Sequence, residues 1–217
     1  FKDESSLEIY ANGLTRSFAT GIKNFVNGDK NADTHAWDGA AAYFKDNYSA
    51  SDASNWGTSN WSQLRSINFY LDNMRNAVAS DAILDHYEGV GRFFRALFYI
   101  DKVQTFGAVP WYDTSIDATD REALFKDRDN REFVASKILE DLDYACTYCL
   151  TSDKYRVRAS YIHRYVALAL KARFCLYEAQ VPRGRPVDRT GVDEGREPVL
   201  SRRVRQGLRG DHGRRRL

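Results

Sequence analysis

The chain has 217 residues, of which 43% are hydrophobic and 13% aromatic, and its formal net charge is +2. That length suits one domain or one and a half. The hydrophobic residues are numerous enough to form a core if they recur on one face of each helix or strand. No apolar run reaches the roughly 18 residues of a membrane-spanning helix, and three cysteines are too few for a disulfide framework. No signal peptide is visible, but the chain begins at Phe1 rather than Met, so this absence says little about the compartment.

The first predicted helix lies near the start of the chain, with Ser5 or Ser6 as its N-cap and Gly28 as its stop. Its apolar residues recur every three or four positions and comprise Leu7, Tyr10, Leu14, Phe18, Ile22 and Phe25. Residues 29–60 are polar and turn-rich, so we predict a long irregular segment with a short helical turn around residues 40–43. Loops of this length are often functional.

Two further helices are predicted between residues 61 and 106. The first, over residues 61–78, has apolar residues on one helical face. That face consists of Trp61, Leu64, Ile67, Leu71, Met74 and Val78. The second is apolar nearly all round between Val90 and Phe106, as expected of a helix buried on several sides, and Gly107 with Pro110 beyond predicts its end.

Another pair of helices is predicted after a loop that runs to residue 128. The first of them opens with Asp129 or Asn130 as its N-cap. Its apolar stripe is Val134, Ile138, Leu142, Ala145 and Cys149. The last helix ends near residue 179 and is rich in alanine, where a neighbouring helix can approach closely. No segment of residues 1–179 alternates apolar and polar residues with period two, so the predicted fold is all-α, built of helical hairpins.

Five segments of the chain carry a family resemblance. The segment FFRALFYIDKVQTFGAVPWYD joins an aromatic-rich helix to a Phe-Gly-Ala-Val-Pro turn. Four others agree with it in order and spacing: SSLEIYANGL, WSQLRSINFYLDNM, DRDNREFVASKILEDLDYA and YVALALKARFCLYEA. Together these segments span residues 1–179 and resemble the SusD/RagB family of outer-membrane nutrient-binding lipoproteins.

This resemblance implies a helical scaffold of tetratricopeptide-like hairpins. It also implies a surface-exposed protein with a lipid anchor in a Gram-negative outer membrane. Members of the family lie over a SusC-like TonB-dependent transporter and capture oligosaccharides or other nutrients, without catalysis or a cofactor. The lipidated cysteine is absent from this chain. Family members are also much longer, so we expect the chain to be truncated after residue 179.

The composition changes abruptly after residue 179. Residues 1–179 contain all nine lysines and all 29 aromatic residues, with 21 Lys and Arg against 25 Asp and Glu. Residues 180–217 contain 11 arginines and five acidic residues. Three interpretations are open: a basic arm that binds nucleic acid, a solvated linker, or out-of-frame sequence.

We favour out-of-frame sequence for residues 180–217. One allowed codon choice for residues 204–217, shifted by one base, encodes an amphipathic helix that ends in glycine, as the family pattern requires there. The predicted domain organisation is therefore a helical domain over residues 1–179 and a disordered tail over residues 180–217. On this interpretation the tail does not bind nucleic acid.

Aromatic and amide side chains near residue 56 are the candidate ligand-binding residues. Sugars are bound by aromatic rings that stack on their apolar faces and by polar groups that bond their hydroxyls. We predict that Trp56 stacks on a sugar, with Asn55, Asn60 and Asp52 as hydroxyl partners and Trp37 nearby. The alternative is that Trp56 is a loop residue packed on the scaffold. Trp61 begins an apolar stripe and is expected to lie in the core.

The sequence offers weaker support for acid–base catalysis. The carboxylates Asp81, Asp85, Glu88 and Asp101 include pairs at helical spacing that could act as a general acid and base. We expect instead that Asp81 and Asp85 lie at a solvated helix start, and that Asp101 pairs with an arginine such as Arg95 or Arg173.

No metal site or redox pair is predicted. Cys146 and Cys149 lie in a helical pattern without a second pair, so we interpret them as small apolar helix residues. The four histidines, His35, His86, His163 and His212, lie in unrelated segments.

The sequence therefore favours a SusD-like protein that captures glycans or other nutrients. The alternative is a helical-repeat scaffold that binds another protein through a groove, with no sugar involved. A glycoside hydrolase is a poor third hypothesis, because its only support is the scattered carboxylates.

Overall fold

The structure, a computed structural model, describes residues 1–18, 56–117, 119–155 and 161–180. Within these ranges the chain forms six α-helices and no β-strand, which confirms the predicted all-α class. The helices are α1 (Glu4–Phe18), α2 (Thr58–Asn73), α3 (Asp81–Phe106), α4 (Arg121–Leu124), α5 (Arg131–Tyr148) and α6 (Arg164–Gln180), with 3-10 turns at Met74–Asn76 and Asp153–Tyr155. The predicted stop at Gly28, most of the irregular segment and the tail lie outside the described residues.

Helix α3 is the centre of the helical unit. Contacts within the chain separate a unit Phe1–Glu178 from a unit Ala179–Leu217, and α3 belongs to the first. It packs against α1, α2 and α5, while α1 and α2 also contact each other. Its aromatic residues Phe93, Phe94, Phe98 and Tyr99 are all buried. The prediction that this helix is buried on several sides is confirmed.

Three helix ends follow from local sequence chemistry. Gly107 ends α3 with a φ of 71°, a left-handed conformation that favours glycine. Asn130 caps α5, because its side-chain oxygen accepts a backbone N–H from the first turn. At α1 the predicted cap was wrong. The Asp3 carboxylate accepts the N–H of Ser6, and the Ser6 hydroxyl accepts the N–H of Asp3. The helix can therefore begin at Glu4.

The predicted apolar stripes form the buried faces of α2 and α5. The five stripe residues of α5, Val134, Ile138, Leu142, Ala145 and Cys149, are all fully buried. Burial raises the pKa of the Cys149 thiol to about 12, which keeps it protonated and unreactive. In α2 the prediction for Val78 was wrong, since this side chain is 85% exposed. The helical backbone has ended by Asn76, and the N–H of Val78 donates to the carbonyl of Lys2 instead.

The start of α1 is held by residues far along the chain. The Glu4 carboxylate accepts hydrogen bonds from the Lys154 ammonium at 2.5 Å and from the Tyr155 hydroxyl at 2.8 Å. One turn later, Glu8 accepts a hydrogen bond from the Tyr161 hydroxyl. These polar contacts attach α1 to the segment between α5 and α6.

Two glycines inside α3 allow its neighbours to approach closely. A Cβ atom at Gly89 would lie 2.9 Å from the Cys149 sulfur, and one at Gly91 would lie 2.6 Å from the Leu71 side chain and 2.9 Å from the Tyr70 ring. A glycine in a helix costs about 1 kcal/mol relative to alanine. Here that cost is offset by close packing, with Gly89 facing α5 and Gly91 facing α2.

We expect Gly91→Ala to lower the free energy of unfolding by about 1–3 kcal/mol, because the new methyl group overlaps the buried Tyr70 ring and Leu71. The matched control is Gly13→Ala in α1, where nothing lies within 4 Å of the added Cβ. The control should be neutral or should stabilise the protein by up to about 1 kcal/mol. Urea denaturation followed by circular dichroism compares the two, and equal stabilities would show that α2 shifts at no cost.

Candidate functional site

Trp56 lies just before α2 and packs on the scaffold. Its ring is half-buried and makes edge-to-face contacts with Trp61, at 5.3 Å between centroids, and with Phe106, at 4.9 Å. The guanidinium of Arg128 lies over the ring, 4.4 Å from its centroid. A sugar that stacked on this face of Trp56 would therefore have to take the place of Arg128.

Trp56 is part of an aromatic cluster at one end of α3, formed by Trp56, Trp61, Phe98, Phe106 and Tyr112. The ammonium of Lys102 lies among these rings, 5.2 Å from the Phe98 centroid and 5.7 Å from that of Trp61. Lys102 is buried, and this burial lowers its pKa. The rings stabilise the buried charge because their faces carry partial negative charge.

A polar cleft with a volume of about 450 Å³ is lined largely by charged residues of α2, α3 and α5. At its buried side, Arg95 binds Asp141 through two hydrogen bonds of 2.7 and 2.8 Å. Arg95 also donates to the carbonyl of Asp113, at 2.8 Å. This bidentate pair joins α3 to α5 and to the loop that follows α3.

The candidate acid–base carboxylates are bound to arginine or exposed. Arg75 donates to Asp85 and to Glu88, each at 2.7 Å. The predicted pairing of Asp101 was wrong, because Asp101 is exposed and Arg95 pairs with Asp141. Asp101 lies six residues beyond Arg95, a rotation of about 240° around the helix, so the two cannot share a face.

His86 is buried between the start of α3 and the segment after α5. Its Nδ1 accepts the backbone N–H of Leu150 at 3.1 Å, which assigns the proton to Nε2. The imidazole lies 4.3 Å from the Tyr155 ring, centroid to centroid. Burial lowers the pKa of His86 to about 4, so the ring is neutral at pH 7. Among the described residues, no group of three His, Cys, Asp or Glu side chains is arranged to hold a metal ion.

A second cleft, the aromatic cleft, lies between α1, α2 and the loop before α4. Its volume is about 360 Å³, and it is lined by Tyr10, Arg65, Ser66, Phe69, Ser115, Ile116 and Asp117. The Phe69 side chain is 49% exposed there. An exposed aromatic ring beside polar groups can stack on an apolar face and bond the polar edge of a ligand.

Neither a family model nor a curated protein matches the sequence. Solved structures do match. A SusD-like protein from Bacteroides fragilis is 22% identical with a TM-score of 0.64, over 82% of this chain and 35% of that one. A SusD-like carbohydrate-binding protein from Bacteroides vulgatus is 18% identical with a TM-score of 0.59, over 83% and 42% of the two chains. A laminarin-binding SusD-like protein is 18% identical with a TM-score of 0.64, over 82% and 41%.

The chain has the SusD-like fold. The resemblance seen in the sequence is thus confirmed for the fold, including its helical hairpins. The chain spans between 35% and 42% of the length of these three SusD-like structures. Among the helices that the structure describes, none is long and apolar enough to cross a membrane.

Within this SusD-like fold, two of the five predicted ligand-binding residues can be located. Trp56 and Asn60 lie on either side of the start of α2, and the Asn60 N–H donates to the carbonyl of Gly57 at 2.9 Å. The others, Trp37, Asp52 and Asn55, lie outside the described residues. Their part in binding stays a prediction.

The sequence pattern did not predict the aromatic cleft of this chain. Phe69 lies off the apolar stripe of α2, between Ile67 and Leu71. Phe69 could have been recognised as a candidate binding residue, because it is an aromatic residue on the polar face of an amphipathic helix. The other wall, Ser115 to Asp117, comes from a loop more than forty residues later, which periodicity does not bring into contact with α2.

Proposed function

We propose that this protein is a SusD-like, cell-surface binding protein that captures oligosaccharides, or other nutrients, for import by a SusC-like TonB-dependent outer-membrane transporter. The observation that carries the proposal is the match of four-fifths of the chain to SusD-like structures. Two of those proteins are described as carbohydrate-binding and laminarin-binding. The proposed membrane attachment is a lipid anchor on a cysteine outside this chain.

The proposed role is binding without catalysis. Asp85 and Glu88, a pair of carboxylates at helical spacing, are both bound to Arg75. A general acid and base must reach the reacting atoms of the substrate. The aromatic and polar surfaces of the chain suit recognition of a sugar better than its hydrolysis.

In this proposal Trp56 is a stacking residue at the end of the helical unit. A sugar ring replaces the Arg128 guanidinium over the indole, and Arg128 then bonds a hydroxyl of the same sugar. The exchange is inexpensive, because an exposed cation–π contact is worth about 0.5–1 kcal/mol. Asn60 supplies an amide in the first turn of α2, four residues after Trp56.

We expect Trp56→Ala to weaken the binding of a neutral oligosaccharide by about tenfold, because the stacking surface is lost. The binding is first identified on a glycan array and then measured by titration. Trp56→Phe keeps an aromatic ring against Trp61 and Phe106 and should retain most of the affinity. Circular dichroism verifies that each variant is folded. A folded wild-type protein that binds no glycan would contradict the glycan-binding part of the proposal.

That negative result would favour a helical-repeat scaffold that binds another protein. One observation supports this alternative. Helix α6 has large apolar side chains exposed along one side, namely Tyr165, Leu168 and Leu176. Exposed apolar faces of this kind are typical of protein-binding surfaces.

A further inference from the structure

The aromatic cleft has two rings arranged around an open space. Phe69 of α2 and Tyr10 of α1 have centroids 6.4 Å apart and planes inclined at 38°. Tyr10 is backed by the buried Tyr70, with centroids 5.3 Å apart and planes 10° from parallel. Tyr10 is therefore supported from behind, while Phe69 is half exposed to solvent.

Phe69 is a large apolar residue at an outward position of α2. Its neighbours Asn68 and Tyr70 are buried, whereas about half of the Phe69 side chain is exposed to solvent. An exposed aromatic ring keeps apolar area in water, at about 25 cal/mol per Å². A ligand that covers this ring recovers that free energy.

Hydrogen bonds join the elements that form the walls of the cleft. On α1, the Tyr10 hydroxyl donates to the carbonyl of Ser66 at 3.2 Å. On the loop, Ser115 donates both its N–H and its hydroxyl to Asp72 of α2, at 2.8 and 2.5 Å. The buried Asn68 also donates to the carbonyls of Tyr112 and Thr114. A cleft fixed in this way loses little conformational entropy when it binds a ligand.

The polar groups of the cleft have a net charge of zero. Arg65 and Asp117 contribute one charge of each sign, and Ser66 and Ser115 contribute hydroxyls. The hydroxyl and the backbone N–H of Thr119 both donate hydrogen bonds to the Asp117 carboxylate, and these bonds, together with the Arg65 charge, lower the pKa of Asp117. Asp117 therefore accepts hydrogen bonds as a carboxylate, while Arg65 donates them.

We propose that the aromatic cleft is a binding subsite for a neutral sugar ring, which stacks on Phe69 and bonds Arg65 and Asp117 through its hydroxyls. A volume of about 360 Å³ is within the range of small-molecule sites. The balanced charge favours a neutral sugar over a uronic acid. This inference rests on the proposed glycan-binding function and adds a subsite that does not involve Trp56.

Saturation-transfer NMR and titration of the 217-residue chain with maltotriose, cellotriose and laminaritriose test the subsite. At least one of these neutral trisaccharides should bind saturably, with a Kd on the order of 1 mM. Phe69→Ala should weaken that binding by roughly fivefold, and Phe69→Tyr, which keeps the ring, should restore it. The matched control Phe125→Ala removes another exposed ring, outside the cleft, and should change nothing.

Two results would overturn the subsite. One is trisaccharide binding that is unchanged in Phe69→Ala. The other is trigalacturonic acid that binds as tightly as the neutral trisaccharides. Binding lost in Trp56→Ala but unchanged in Phe69→Ala would leave the proposed function standing and remove only the subsite. No saturable binding of any sugar by the folded chain would contradict the subsite and the glycan-binding part of the proposed function.

Discussion

Replacement of Asp141 by alanine is expected to lower the free energy of unfolding by about 3–5 kcal/mol. Asp141 is 2% exposed and Arg95 is 7% exposed, so the substitution leaves a buried guanidinium without its carboxylate. Arg95 would keep its hydrogen bond to the carbonyl of Asp113 and its position over the Trp111 ring, but would have no carboxylate to balance its charge. Chemical denaturation followed by circular dichroism measures the loss.

Two further variants sharpen this test. Glu140→Ala removes the partner of Lys137 in an exposed pair on the same helix, and should cost less than about 1 kcal/mol. The double variant Arg95→Met/Asp141→Leu removes both buried charges and should recover much of the stability lost in Asp141→Ala. A single Asp141→Ala variant within about 1 kcal/mol of the wild type would show that water solvates Arg95.

The second large effect is a loss of stability in mild acid. The pKa of His86 falls from 6.5 to about 4 on folding, so between these values the unfolded chain binds more protons than the folded one. The stability from the neutral imidazole is fully present above about pH 6.5. It is lost as the pH falls through 6.5 towards 4, with a total loss of roughly 3 kcal/mol.

The measurement is the free energy of unfolding at pH 7, 5.5 and 4. Carboxylates with lowered pKa values, such as Glu4 and Asp129, also lose stabilisation as the pH falls through their own pKa values. The comparison with His86→Asn separates the two effects, because asparagine does not titrate but can still accept the N–H of Leu150. The slope between pH 6.5 and 4 should be shallower in the variant. Identical slopes would show that His86 is protonated without loss of the fold.

The sequence predicted the helices well, because their signals are local. The stripe of α5, its cap at Asn130 and the stop at Gly107 all depend on residues within a few turns of one another. The partner of Arg95 could not be predicted in this way. Asp141 lies 46 residues away, on a different helix. Helical spacing excludes Asp101 as the partner of Arg95 but does not select Asp141. Only the packing of α3 on α5 selects it.

The candidate sites show the same limit. Trp56 and Asn60 are close because they are neighbours in the chain, so their proximity was predictable. The Arg128 that covers Trp56 comes from a loop 72 residues later. Phe69 was overlooked because a helical stripe identifies buried residues, whereas a ligand-binding ring is exposed. Aromatic residues outside the apolar stripe of a helix were therefore the better candidates for ligand binding.

The attachment of α1 to Lys154 and Tyr155 has a consequence for the order of folding. Glu4 leaves the ribosome about 150 residues before Lys154 and Tyr155, its partners. At 5–20 residues per second, the first helix therefore waits on the order of ten seconds for the groups that hold its N-terminal turn. Leu7 and Leu14 are buried in the folded protein. During that interval their side chains must be shielded from water by other contacts. Helix α1 is thus synthesised well before the groups that attach its N-terminal turn.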